Sequence, residues 1–234
     1  MLTSCAKTHT VRCIVITSSL AAAIPRGASG TRDTVNIHSA STRVSLLPTG
    51  PYDNYFDAYG ASKVLAFDAA EKSVQAKNPH FTIVKIMPTF VIGANELVTD
   101  PKCIIDRTNF LSTKIILGAK NTDAFIGQIS FLDDVAKVHV ESLDKKKVPG
   151  SANFLVTSGD GLNGVQLDSA IEIAKKHFPA AVENGILPLG GTRPSKVLKL
   201  DIDATKKVFG KVRIYEDAVV SVVAHYIMLV EGQK

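Results

Sequence analysis

Apolar positions along the chain fall into two kinds of run. Stretches at 13–17, 82–87 and 153–157 are short and β-branched or apolar, the signature of buried strands. Segments with helical spacing lie at 58–77, 109–117, 166–177, 202–209 and 216–228, the last two parted by Gly210. The piece 125–131 reads as extended. Strand and helix signals that alternate in this way predict an α/β protein built on a parallel sheet. The polar stretch 25–55, with Pro25, Pro48, Gly50 and Pro51, reads as a loop, and a long loop over a cleft shapes substrate selection.

Composition narrows the class. The chain has 234 residues, of which 45% are hydrophobic, enough for one sizeable core or one domain plus a small lobe and unlike a disordered tail. No apolar run reaches the roughly 20 residues that span a bilayer. The stretch 14–24 is shorter and is broken by Thr17, Ser18 and Ser19, so it is read as a buried strand and its end rather than a signal peptide. The net charge of +5 is scattered, and its one run, Lys145-Lys146-Lys147, reads as a solvated loop; neither a nucleic acid nor a membrane is expected as partner. Cys5, Cys13 and Cys103 have no metal-ligand spacing and an odd count, as expected of reduced thiols in a cytoplasmic protein. The six histidines form no ligand cluster, so no metal site is expected, and His139 reads as a helix-packing residue.

Three residues carry candidate chemistry. Tyr59 and Lys63 stand four apart in a predicted helix, so phenol and ammonium share a face. A free tyrosine titrates near about 10, too high for ready proton exchange at neutral pH; a cation beside it stabilises the phenolate. Ser19 lies forty positions earlier, just past an apolar strand that ends in Thr17, and its hydroxyl can hold a substrate oxygen while Tyr59 gives or takes the proton.

With Val11-Arg12-Cys13-Ile14-Val15-Ile16-Thr17-Ser18-Ser19, Tyr59-Gly60-Ala61-Ser62-Lys63, the run Val84 to Gly93 and the run Phe131 to Val140 in this order, the chain resembles an extended short-chain dehydrogenase/reductase. The resemblance is to the dihydroflavonol-reductase-like, or NAD-dependent epimerase/dehydratase, type and covers nearly the whole chain. It implies a Rossmann-like, doubly wound parallel sheet with a smaller C-terminal substrate lobe. It implies Ser19, Tyr59 and Lys63 as the catalytic triad, with Lys63 also touching the nicotinamide ribose of NADP or NAD. Pro88, Thr89, Phe90 and Val91 match the stretch beside the nicotinamide. Residues 1–87 are then the remaining part of the Rossmann-like domain, and 88–234 mainly the substrate lobe, interleaved with the last strand and helices of the first domain.

The chain departs from the family at its start, where a strand, a glycine-rich turn and a helix bind the pyrophosphate. Gly27-Ala28-Ser29-Gly30 lies after the strand leading to Ser19, and Gly159-Asp160-Gly161-Leu162-Asn163-Gly164 reads as a flexible loop opening a helix. The expectation is an N-terminal truncation by the first four strands and their helices, with residues 1–6 the end of a helix. Strand 13–17 would then have an open edge for another copy or a partner chain to cover. Three functions stay open at this point. One is a nicotinamide-dependent reductase of a ketone or aldehyde on a small, secondary-metabolite-like substrate. Another is a cofactor-independent isomerase, dehydratase or cyclase using the same acid/base pocket. The third is a noncatalytic homologue acting through a partner.

Overall fold

A computed structural model of the chain describes residues 1–24, 33–44, 47–105 and 107–232. In chain order the elements are α1 (Leu2–Ala6), β1 (Cys13–Thr17), β2 (Ile37–His38), α2 (Tyr55–Lys77), β3 (Thr82–Pro88), β4 (Phe90–Ile92), α3 (Pro101–Ile104) and α4 (Phe110–Ile116). They continue as β5 (Phe125–Ile126), β6 (Ile129–Phe131), α5 (Leu132–Glu141), β7 (Ala152–Val156), α6 (Ala170–His177), α7 (Pro179–Glu183), β8 (Ser195–Lys196), β9 (Lys199–Leu200), α8 (Asp203–Phe209) and α9 (Tyr215–Glu231). The chain divides into two units. The first is Met1–Thr89, Ala136–Val156 and Lys199–Lys211; the second is Phe90–Val135, Thr157–Leu198 and Val212–Lys234. No helix among the described residues is long and apolar enough to cross a membrane.

The first unit holds the parallel sheet, in the order β1-β3-β7. Thr17 registers on Ile86 and Pro88 on Val156, so the carboxyl ends of the three strands lie side by side. A central parallel strand covered on both faces reads as a continuous apolar run. β3 does so: it is buried from its second residue to its last and is apolar there except at Lys85. Pro88 closes the strand, since it brings no N–H to a ladder. Ile14, Phe81 and Ile83 form a core cluster with Leu2, Cys5, Ala6, Val11, Ile16 and Val74 around it. Beside β7, the Phe154 ring meets Phe209 of α8 edge-on, with centroids 4.8 Å apart, and the Thr205 hydroxyl donates to Leu155 O at 2.6 Å.

A lysine in a buried strand needs a counter-charge, and Lys85 has one. Its Nζ lies 3.5 Å from Glu71 and 4.3 Å from the Phe67 ring centroid. Arg43 holds the same carboxylate with Nε at 3.0 Å and Nη2 at 2.8 Å, and its guanidinium lies 4.7 Å from that ring centroid. Burial pushes the Glu71 carboxyl up, but the Arg43 hydrogen bonds and the Lys85 charge outweigh it, and the group titrates below the usual carboxylate range. Burial draws the Lys85 ammonium below the usual lysine value against the pull of Glu71.

Several boundaries differ from the sequence expectation for local reasons. The helix expected at 58–77 starts at Tyr55, because the Asn54 side chain accepts from Asp57 N at 3.1 Å and donates to the Asp57 carboxylate at 2.7 Å. It ends at Asn78, in the left-handed region at φ 37°. The expected loop 25–55 contains β2, which pairs with β9; Gly27 to Gly30 lie outside the described residues. In the second unit, the extended piece 125–131 splits into β5 and β6 around Gly127. A Cβ there would stand 2.2 Å from Val165 O. The helix expected from 166 begins at Ala170, after a 3-10 turn at Leu167–Ser169.

The second unit packs its own core around α9. Ala218, Val219, Val222 and Val223 meet Leu111, Ile115, Leu167, Ala170 and Ile129. Tyr215 opens α9 with its hydroxyl 2.8 Å from Ser112 Oγ, and burial pushes that phenol well above the usual tyrosine value.

Two glycines separate conformational need from mere presence. Gly60, inside α2, has open space where a methyl group would stand, with nothing within 4 Å. Gly60→Ala is therefore expected to raise the unfolding free energy by about 0.5–1 kcal/mol, whereas Gly127→Ala lowers it; thermal denaturation of the two variants checks both signs. For Glu71, the depressed folded value means stability present above the ordinary carboxylate range, about 4.3, and lost as pH falls through the folded value. Glu71→Gln is expected to cost about 2 kcal/mol at neutral pH. In urea denaturation the gap to the parent narrows below about pH 4; an equal gap at pH 7 and pH 3 would contradict the ion-pair account.

Candidate active site

β1 delivers its last residues to the carboxyl end of the sheet, the side on which open α/β sheets bind ligands. The ladder runs one step past the strand, with Ser18 N–H donating to Ile86 O at 2.7 Å, and Ser18 is buried. Ser19 is extended (φ −163°, ψ 152°) and caps the 3-10 turn Leu20–Ala22: its Oγ accepts from Ala21 N at 3.2 Å. That contact uses an acceptor site of the hydroxyl, whose O–H remains a donor in chemical type.

α2 supplies the other two expected residues from one face. The Lys63 ammonium lies 5.5 Å from the Tyr59 ring centroid, within cation–π range. The same Nζ donates to Thr17 O at 3.4 Å. Lys63 thus connects the tyrosine's helix to the backbone two residues before Ser19. The Tyr59 ring is 38% exposed and stacks with Tyr55 at 6.3 Å between centroids. Tyr215 contrasts with it: buried and hydrogen-bonded to Ser112, that phenol holds a helix in place.

The residues expected beside a nicotinamide divide between the units. Pro88 ends β3 in the first unit, and Thr89 N–H donates to Val156 O at 3.2 Å. Phe90 and Val91 begin β4 in the second, paired with Ile129 and Ser130 of β6. There the Phe90 ring meets Phe125 at 5.0 Å, and Val91 O accepts from the Thr108 hydroxyl.

Two motifs resolve into supports for the backbone. In the Gly159 to Gly164 loop all three glycines have positive φ, and Asp160 Oδ1 accepts from Leu162 N and Asn163 N at 2.9 and 3.0 Å. A Cβ on Gly164 would lie 2.7 Å from Gly127 O, so this glycine answers to the loop's own packing. Asp134 is buried and accepts from Arg213 N at 2.7 Å and Nε at 3.1 Å, while the Arg213 guanidinium lies 4.2 Å from the Phe131 ring centroid. His139, expected to pack a helix, instead shares a 2.8 Å hydrogen bond between Nε2 and Thr17 Oγ1. No local signal announces that pair, since 122 positions separate its members.

No family model matches the chain. Among curated proteins, the ketoreductase CTB6 of Cercospora nicotianae is 32% identical over 236 residues, a match covering 99% of this chain and 65% of the relative. The chain therefore spans about two thirds of that relative's length. Solved structures show the same fold. Yeast methylglyoxal/isovaleraldehyde reductase Gre2, complexed with NADPH, superposes with a TM-score of 0.74 at 19% identity, covering 100% of this chain and 69% of that one. Vestitone reductase from alfalfa (Medicago sativa) gives 0.67 at 18% identity with the same coverage.

The homologues, ketoreductases and an NAD-dependent epimerase/dehydratase among them, fit the extended short-chain dehydrogenase/reductase family. Its three-stranded parallel sheet is Rossmann-like, as the family resemblance implies. In this chain, the Ser19 strand end and the Tyr59–Lys63 helix are joined by the contact of Lys63 with Thr17. That contact is the geometric centre of the candidate site.

Proposed function

We propose that the chain is a nicotinamide-dependent reductase of a ketone or aldehyde carried by a small, secondary-metabolite-like molecule. The observation that carries this reading is the placement of Lys63, with its ammonium against both the Tyr59 ring and the strand end that leads into Ser19. A carbonyl oxygen at this strand end receives a hydrogen bond from the Ser19 hydroxyl and a proton from the Tyr59 hydroxyl. The Lys63 charge stabilises the phenolate left on Tyr59. The names of the relatives support the same chemistry: one is a ketoreductase and another a methylglyoxal/isovaleraldehyde reductase seen with NADPH.

The cofactor in this reading is NADP or NAD, and the residues present fit its nicotinamide half. An ammonium has three donors, and Lys63 uses one on Thr17, which leaves capacity for a ribose hydroxyl. Pro88, Thr89, Phe90 and Val91 would flank the ring. When bound, nicotinamide supplies the hydride. We assign the binding half to the unit built on β1, β3 and β7, and selection of the substrate to the segments from Phe90 onward. A cytoplasmic location belongs to the same proposal, supported by Cys5, Cys13 and Cys103 all standing as free thiols.

Titration with NADPH and NADH, followed by nicotinamide fluorescence, is expected to saturate for one of them; no saturable change up to about millimolar cofactor sinks the reading. Tyr59→Phe removes one hydroxyl and is expected to lower kcat by about 10²–10⁴-fold with the cofactor titration unchanged. A turnover that needs Tyr59 but no cofactor would replace the reductase with an isomerase or dehydratase.

A further inference from the structure

The hydrogen bond between His139 and Thr17 serves none of the roles assigned so far, and its place gives it one. Thr17 is the last residue of β1 and touches two groups from different helices. Its side-chain Oγ1 lies 2.8 Å from His139 Nε2 on α5, and its backbone O accepts from Lys63 Nζ on α2 at 3.4 Å. Both contacts lie within the first unit. A β-branched residue has few side-chain rotamers, so a partner that holds Oγ1 also restrains the backbone to which Cβ is attached. That backbone carries the carbonyl on which Lys63 rests and leads directly through Ser18 to Ser19. The ladder bond from Ser18 N to Ile86 O holds the strand from its β3 side; His139 holds its terminal side chain.

We propose that His139 is a positioning residue for the Ser19, Tyr59 and Lys63 site. It fixes Thr17, so that the Thr17 carbonyl holds the Lys63 ammonium beside Tyr59. His139 touches neither substrate nor cofactor in this role. The proposal rests on the reductase reading for its kinetic consequence but not for the coupling of His139 to Lys63, and the two are measured separately.

The structural readout is the carbonyl-carbon NMR shift of Thr17 in the full chain labelled with ¹³C-threonine and ¹⁵N-serine. The Thr17–Ser18 signal is recognised by its loss in Thr17→Val. Lys63→Met moves this resonance by removing the donor, and His139→Leu is expected to move it in the same direction. His139→Gln places an amide within reach of Thr17 Oγ1 and is expected to restore it. In turnover, His139→Leu is expected to lower kcat about tenfold with KM within about twofold, and His139→Gln to recover most of the loss. In a Thr17→Val background, which keeps the carbonyl but has no hydroxyl, His139→Leu then has little further effect. The proposal is overturned if the Thr17 resonance ignores His139→Leu, if the glutamine variant is no better than the leucine variant, or if the kinetic loss persists in full without the Thr17 hydroxyl. If the parent chain shows no nicotinamide-dependent turnover, the reductase reading fails, and the carbonyl resonance still decides whether His139 governs the Lys63 contact.

Discussion

A parallel strand buried on both faces sets the terms for the first unit. β3 lies between β1 and β7, so its peptide groups pair laterally and its side chains must be apolar or matched in charge. Register follows from that pairing: Thr17 stands opposite Ile86 and Val156 opposite Pro88, which brings the strand ends level. Ser19 emerges there because the ladder ends one step past β1, at the bond from Ser18 N–H to Ile86 O. The position of the candidate site is thus a consequence of where a buried strand stops.

Polar groups in these buried places are tolerated only in company. Lys85 sits with Glu71, Arg43 and the Phe67 face. Gln128, fully buried in the second unit, donates to Leu198 O and Gly161 O and accepts from Thr157. Asp134 is closed by the backbone and side chain of Arg213. Each replaces the water it has lost with hydrogen bonds, an ion pair or a ring face, because an unpaired buried polar group costs on the order of 1–3 kcal/mol. Such groups look like candidate chemistry in a list of residues, but their bonds are spent on structure. Lys63 and Tyr59 are instead partly open to solvent, and Lys63 reaches the end of β1.

Short motifs point to the residues of the candidate site. Tyr59 and Lys63 are four apart, and a helix places them together whatever surrounds it. Ser19 followed from an apolar run ending in hydroxyls. The helix start at Tyr55 was also written locally, in Asn54 and Asp57, but a polar loop reading concealed it. The break at Gly127 was less legible: only the approach of Val165 O explains why a glycine interrupts that extended piece.

Sequence alone determined the α/β class, the three strands of the parallel sheet, the helix bearing Tyr59 and Lys63, and the family to which they point. All of these depend on periodicity or on neighbours within one turn or one strand, where spacing dictates geometry. The tertiary structure decided which residues meet across long separations: Lys63 with the Thr17 carbonyl, His139 with the Thr17 hydroxyl, and Arg43 and Lys85 on one carboxylate. Those encounters are set by strand order and helix packing. Neither is encoded by local spacing, so a histidine read as helix packing became a hydrogen-bond partner of the strand that leads to the candidate site.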